Sequence, residues 1–220
     1  MPNNQTKKLT HGAMMIALFT ILLAIAFYVP LISVVASLFV VLPITWYSAT
    51  YNRSSAILVA IVSCIISFFL GGGILIIPFA LTFAVLGVVL GDALRTKKSK
   101  LFLLISSSFA VLVTSAIQYL VSIKFFEIDI IKESINLIDE SYSTSIEYTE
   151  KLTGKALISE QDLNLMFETI QAAVPALVTI SVFFTTFILI TVNLPILKRL
   201  GVDVPKFAPF RDMRLPRSVL

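Results

Sequence analysis

Between Leu9 and Ile123 charged side chains occur only around Arg53 and from Asp92 to Lys100, and everything between is aliphatic, aromatic, small or hydroxylated. A water-soluble fold would have to bury helices that are apolar on every side. A bilayer instead needs about 20 apolar residues per span and requires each backbone group to be satisfied within its own helix. The pattern therefore predicts an all-α fold, a polytopic transmembrane helical bundle. Composition agrees: 14% of residues are charged, against roughly 25% in soluble domains, and the mean hydropathy is +0.95. The apolar run that starts at Gly12 is too long for a cleavable signal peptide, and no small-residue cleavage site follows it before the next span. The first helix is expected to remain as an anchor.

Breakers and polar clusters divide the chain into six predicted spans, at about residues 9–29, 31–47, 56–70, 74–90, 101–123 and 172–194 of one membrane domain covering 1–220. Pro30 breaks the first span and leaves a tight helical hairpin, because proline cannot continue the hydrogen-bond ladder. The triplet Gly71, Gly72, Gly73 ends the third. Two short segments joined by three glycines also suit a re-entrant hairpin that never reaches the far side. Two full crossings are favoured, since the basic cluster Arg95, Lys97, Lys98 and Lys100 after the fourth span requires an even number of crossings before it.

Orientation follows from the basic residues. Of the 17 Lys and Arg, four (Lys124, Lys132, Lys151 and Lys155) fall on one side of this arrangement and the rest on the other. The positive-inside rule then places both termini in the cytoplasm, with residues 198–220 as a basic cytoplasmic tail. Most of the acids lie between Glu127 and Glu168. The net charge of +4 is thus the sum of two opposed surfaces and carries no implication of nucleic-acid binding.

The polar stretch 125–171 has helical logic. Ile128, Ile131, Ile135, Ile138 and Tyr142 recur at spacings of three and four, giving one apolar stripe on a charged helix. Gly154 is a plausible stop, and Ser159 with Asp162 resembles a capping box that restarts a helix. The expected form is an extracytoplasmic helical hairpin, continuous with spans five and six. Its longer first arm either bends over the bundle as a lid, lies on the membrane or a partner, or serves as a solvated spacer.

Within the membrane, Ser108, Ser115 and Ser122 recur every seven residues with Gln118 on the same face, and Thr179, Thr186 and Asn193 do likewise in the sixth span. Such stripes turn away from lipid. They would line a cavity with Thr114, Ser115, Gln118, Tyr119 and Thr179 near its external end. Hydroxyls that bond the carbonyl one turn back and allow close helix packing explain the same pattern without a ligand, and that simpler account is the stronger one. Catalysis finds no foothold: the single His11 has no HExxH context, no P-loop is present, and Asp92 lies beside Arg95, as suits a helix-end ion pair. No enzyme, cofactor or metal site is expected. Cys64, the lone cysteine, reads as packing.

In the first span Ala13 and Ala17 form a small-xxx-small face. The stretch Thr10 to Ala17, the Pro30 hairpin, Leu42-Pro43, Pro78-Phe79-Ala80 leading to Gly87 and Gly91-Asp92, and the closing Phe210 to Ser218 together resemble the YybS-like family of uncharacterised bacterial membrane proteins. That family is in turn similar to the substrate-binding S components of energy-coupling-factor transporters, six-helix proteins with both termini inside. The resemblance implies an S-component-like bundle in the bacterial cytoplasmic membrane. Ala13 and Ala17 would then dock on the transmembrane T subunit, which works with its ATPases, and a small-molecule solute would bind toward the external side, where the Gln118 stripe lies. It departs from vitamin-binding S components in offering mainly hydroxyls, one Gln and one Asn as polar interior groups. YybS-like proteins commonly continue into further spans, so a chain ending at Leu220 is expected to be a truncated form. The alternative function is a non-transporting membrane scaffold or regulatory protein, with the external helices binding envelope partners.

Overall fold

Pro30 and the residues around it turn the chain between two helices, as a residue without an N–H must. In the computed structural model, which describes residues 4–70, 73–153 and 160–205, α1 (Asn4–Tyr28) ends just before this turn and α2 (Ser33–Val40) begins just after it. A second proline breaks the next helix. Pro43 cannot donate to the preceding turn, and the ladder is interrupted at Val41, so that α3 (Leu42–Thr50) starts as a separate segment. Tyr51 and Asn52 are extended. They lead into α4 (Arg53–Phe68), followed by a short 3-10 turn at Gly73–Leu75 and by α5 (Ile76–Arg95). Gly73 has φ +53°, a left-handed conformation that favours glycine.

α5 ends in a Schellman turn: Lys98 N–H donates to Ala93 O and Lys97 N–H to Leu94 O, with Lys97 itself left-handed at φ 52°. α6 (Lys100–Phe126), α7 (Ile130–Thr153) and α8 (Glu160–Arg199) complete the described chain. α8 closes in the same way, with Gly201 at φ 85°. All regular elements among the described residues are helical. Five helical stretches are long and apolar enough to cross a membrane, at Gln5–Tyr28, Ser33–Thr50, Gly73–Arg95, Lys100–Phe126 and Leu165–Arg199, and Arg53–Phe68 is apolar but shorter.

The chain divides into two compact units, 1–114 with 183–220, and 115–182. In the first, one core joins Met15, Phe19 and Leu23 of α1 to Ile44 and Tyr47 of α3, Val59 of α4 and Ala80 and Ala84 of α5. A second joins Leu90 and Leu94 of α5, Leu103 of α6 and Ile190, Leu194 and Leu197 of α8, with Trp46 packed against both. α3 and α5 approach each other closely. A Cβ placed on Gly87 would meet Ile44 Cβ at 2.9 Å, and one on Gly91 would meet Ser48 Cβ and Thr45 O at 2.5 Å. The two glycines thus form a flat strip on which α3 lies, and Ser48 Oγ crosses it to donate to Val88 O at 2.9 Å.

In the second unit the expected run of span five straight into the external helix does not occur. α6 stops at Phe126, Glu127 takes a left-handed φ of 56°, and α7 starts afresh at Ile130. Gly71 and Gly72, the Gly154 stop, the Ser159 half of the capping box, Lys155, and the tail from Lys206 with its closing Phe210 to Ser218 motif lie outside the described residues.

Candidate functional site

The five residues expected to line a solute cavity fall in both units. Thr114, in the first, is buried and donates to Ala110 O at 2.8 Å. In the second, Ser115, Gln118 and Tyr119 are half-buried on α6, whereas Thr179 is exposed on α8 and donates to Pro175 O at 2.8 Å. Thr114 and Thr179 therefore use their hydroxyls as the simpler packing account requires. Tyr119 does something different: its hydroxyl donates to Asp129 Oδ1 at 3.0 Å across the α6–α7 turn. Asp129 also accepts from the Lys132 N–H at 3.0 Å, capping the new helix. Ser122 Oγ donates to Ile128 O, and Ile128 N–H donates back to Ser122 O. The Lys132 N–H, with the Tyr119 hydroxyl, holds the Asp129 carboxyl below its ordinary value of 3.8.

The hydrophilic stripes differ between the units. In the first, Ser108, Thr186 and Asn193 are fully or almost fully buried. Asn193 Nδ2 donates to Leu38 O at 2.7 Å and to Leu189 O at 2.8 Å. Leu38 is on α2, just before the break that Pro43 imposes. A side chain of α8 therefore supplies a donor to a carbonyl of the interrupted helix, as membrane helices broken by proline require. Asn193 Oδ1 and the Oγ atoms of Ser63, Ser107 and Ser108 are buried without a protein hydrogen-bond partner.

Surface grooves form along α7 and among α1, α2 and α5. One of about 350 Å³ lies along α7 at Leu137, Ile138, Ser141, Tyr142 and Ser145. The other, about 400 Å³, lies among Leu23, Phe27, Ser33, Ser37, Phe79 and Phe83 of α1, α2 and α5. Of the predicted apolar stripe, Ile128 lies in the turn before α7 and is exposed, Ile131 and Ile135 are half-buried, and Ile138 and Tyr142 are exposed. Among the described residues no group of His, Cys, Asp or Glu gathers as a metal site.

α1 has two faces. Gly12, Met15, Phe19 and Leu23 point into the core, while Ala13 and Ala17 are exposed. The family model described as "Predicted membrane protein (DUF2232)" matches residues 17–220, from within this helix onward. The chain belongs to that family. The "Uncharacterized protein YybS" of Bacillus subtilis (strain 168) is 29% identical to this DUF2232 chain over 222 residues, covering 98% of the chain and 70% of that relative. No solved structure matches it.

Sequence reasoning missed one cluster in this family member. His11 Nδ1 lies 2.6 Å from Tyr51 OH, its ring packs edge-on against Trp46 at 5.5 Å, and Lys8, one turn earlier, donates to Asn52 Oδ1 at 2.6 Å. Trp46 Nε1 reaches Leu200 O at 3.3 Å. These partners lie 35 to 154 residues apart, and no local periodicity announces them. The starts of α1 and α4 and the end of α8 thereby meet at one end of the first unit, where the expected Arg95–Asp92 ion pair also forms and Lys97 pairs with Asp203 at 2.9 Å.

Proposed function

We propose that this DUF2232 protein is the solute-capturing, S-component-like subunit of an energy-coupling-factor-type importer in the bacterial cytoplasmic membrane. It crosses six times, with both termini in the cytoplasm. The observation that carries this reading is the exposed Ala13 and Ala17 face of α1. A helix whose opposite side is locked into the core offers the small Ala13 and Ala17 step, set between exposed Leu9 and Ile21, to another membrane helix, which suits docking on a T-like subunit. The sixth crossing is α4. Its 16 residues reach about 24 Å at 1.5 Å each, short of a hydrocarbon core of about 30 Å, so the bilayer thins beside it or its flanking residues reach outward. Solute capture falls to the Gln118, Tyr119, Thr114, Ser115 and Thr179 set. The role involves no catalysis by this chain.

The test is Ala13→Trp. The tagged variant should appear in the membrane at normal abundance yet lose a T-like subunit and its ATPases on gentle purification. Co-purification undisturbed by that bulk would sink the reading. In parallel, Gln118→Leu should remove a stoichiometric solute seen by mass spectrometry of the wild type.

A second reading, a membrane scaffold or regulatory protein for envelope partners, is favoured by one feature. α7 carries an exposed apolar groove at Leu137, Ile138 and Tyr142 on an otherwise polar helix. Deletion of residues 127–168 would then abolish its partnerships, while Gln118→Leu and Ala13→Trp would be silent.

A further inference from the structure

Where α1 and α4 begin, three cations gather at one end of the first unit. The 2.6 Å bond from Lys8 Nζ to Asn52 Oδ1 brings the start of α1, with Lys7 and Lys8, beside Arg53, the first residue of α4. Lys7 and Arg53 are exposed and Lys8 is half-buried. Among the described residues no carboxylate lies within 4.0 Å of any of the three. At the same end of the unit Arg95 is paired with Asp92 and Lys97 with Asp203. Directly along α4 from the cations, Ile57, Leu58 and Ile61 point outward, 41%, 63% and 50% exposed.

We infer that Lys7, Lys8 and Arg53 form a binding site for the phosphate headgroup of an anionic phospholipid whose acyl chains lie along the outward face of α4. Both halves of the surface are needed for this occupant. A guanidinium takes two phosphate oxygens at once and the ammonium groups supply further charge. The apolar ridge below them matches hydrocarbon, which a free phosphate ion would leave uncovered. Cations near an anionic leaflet each strengthen attraction by roughly a factor of five, so three together favour an anionic over a zwitterionic headgroup on the order of 100-fold. Asn52 holds Lys8 through a neutral oxygen, so the charge is positioned without being cancelled.

The experiment compares the full chain, purified in mild detergent, titrated with phosphatidylglycerol or with phosphatidylcholine, reading bound lipid by native mass spectrometry and unfolding temperature in the same samples. Phosphatidylglycerol should bind saturably and raise the unfolding temperature, and phosphatidylcholine should do neither. The triple variant Lys7→Gln, Lys8→Gln, Arg53→Gln should lose this binding, whereas Lys98→Gln, Lys198→Gln, Arg199→Gln, which removes equal charge from elsewhere in the first unit, should keep it. Equal response of the wild type to both lipids would overturn the inference even if the variant failed to fold. Equal loss in both triple variants would overturn it too, by showing diffuse attraction to the net charge. Inorganic phosphate that abolished the phosphatidylglycerol effect at millimolar concentration would identify a soluble-anion site in its place.

Discussion

Gly91→Ala puts the α3–α5 contact to a quantitative test. The added methyl would stand 2.5 Å from Ser48 Cβ and from Thr45 O, about 1 Å inside ordinary contact. Because one of those atoms is backbone, no rotamer change relieves the clash, and the two helices must part by several tenths of an ångström. A gap of that order forfeits a quarter to a half of the dispersion attraction along the strip, and it stretches the Ser48 to Val88 hydrogen bond. Overpacking of this kind costs about 1–3 kcal/mol, and the backbone contact places Gly91 at the upper end. Alanine returns about 1 kcal/mol through its better helix propensity. The net loss is about 1–2 kcal/mol, which for a chain of this size lowers the unfolding temperature by roughly 2–8 °C. Gly12→Ala is the control: its methyl would meet Val59 Cγ2 at 3.4 Å and Tyr47 OH at 3.5 Å, and its unfolding temperature should equal or exceed that of the wild type. The single tryptophan is Trp46, on α3 itself, so its fluorescence on heating in detergent reads the relevant helix. A Gly91→Ala protein that unfolds at or above the wild-type temperature would refute the close contact.

Two further substitutions follow from the hydrogen bonds. Asn193→Ala removes the donor to Leu38 O and should cost about 1 kcal/mol, or about 2–4 °C; an unchanged unfolding temperature would mean that α8 does not brace the proline break. Asp129 has its carboxyl pKa depressed in the folded state, chiefly by the Lys132 N–H. Its contribution to the α6–α7 turn is therefore complete above the ordinary value of 3.8 and is lost as pH falls through the lower folded value. Hydrogen-exchange protection at Lys132 and Glu133 should fall in that acid range in the wild type and be independent of pH in Asp129→Asn, whose amide oxygen still caps the helix but does not titrate. Acid sensitivity that persists in the variant would assign the loss to another group.

What the sequence made legible was local or one-dimensional. Pro30 stops α1 near the expected place because the missing N–H acts on its own turn. The apolar runs announce their helices because each must satisfy its backbone internally. The α6–α7 turn was harder, since Ile128 and Ile131 continue a helical period while Asp129, a residue that caps a helix as readily as it decorates one, is bonded by Tyr119 ten residues earlier. Partners that lie far apart in the chain were not legible at all. The seven-residue spacing of Thr179, Thr186 and Asn193 says that Asn193 faces inward but not that it serves the carbonyl of Leu38. Gly87 and Gly91 were legible as residues of a resemblance and not as a packing strip, because four-residue glycine spacing fixes a face without naming the helix opposite. Ala13 and Ala17 are subject to the same limit. Their spacing made them a candidate face, but Gly87 and Gly91 carry an equivalent spacing and are covered from within the chain. Exposure separates the two pairs: α3 already occupies the glycine strip, while the alanine strip remains open on a helix whose other side is fixed, and only such an open strip can accept a partner.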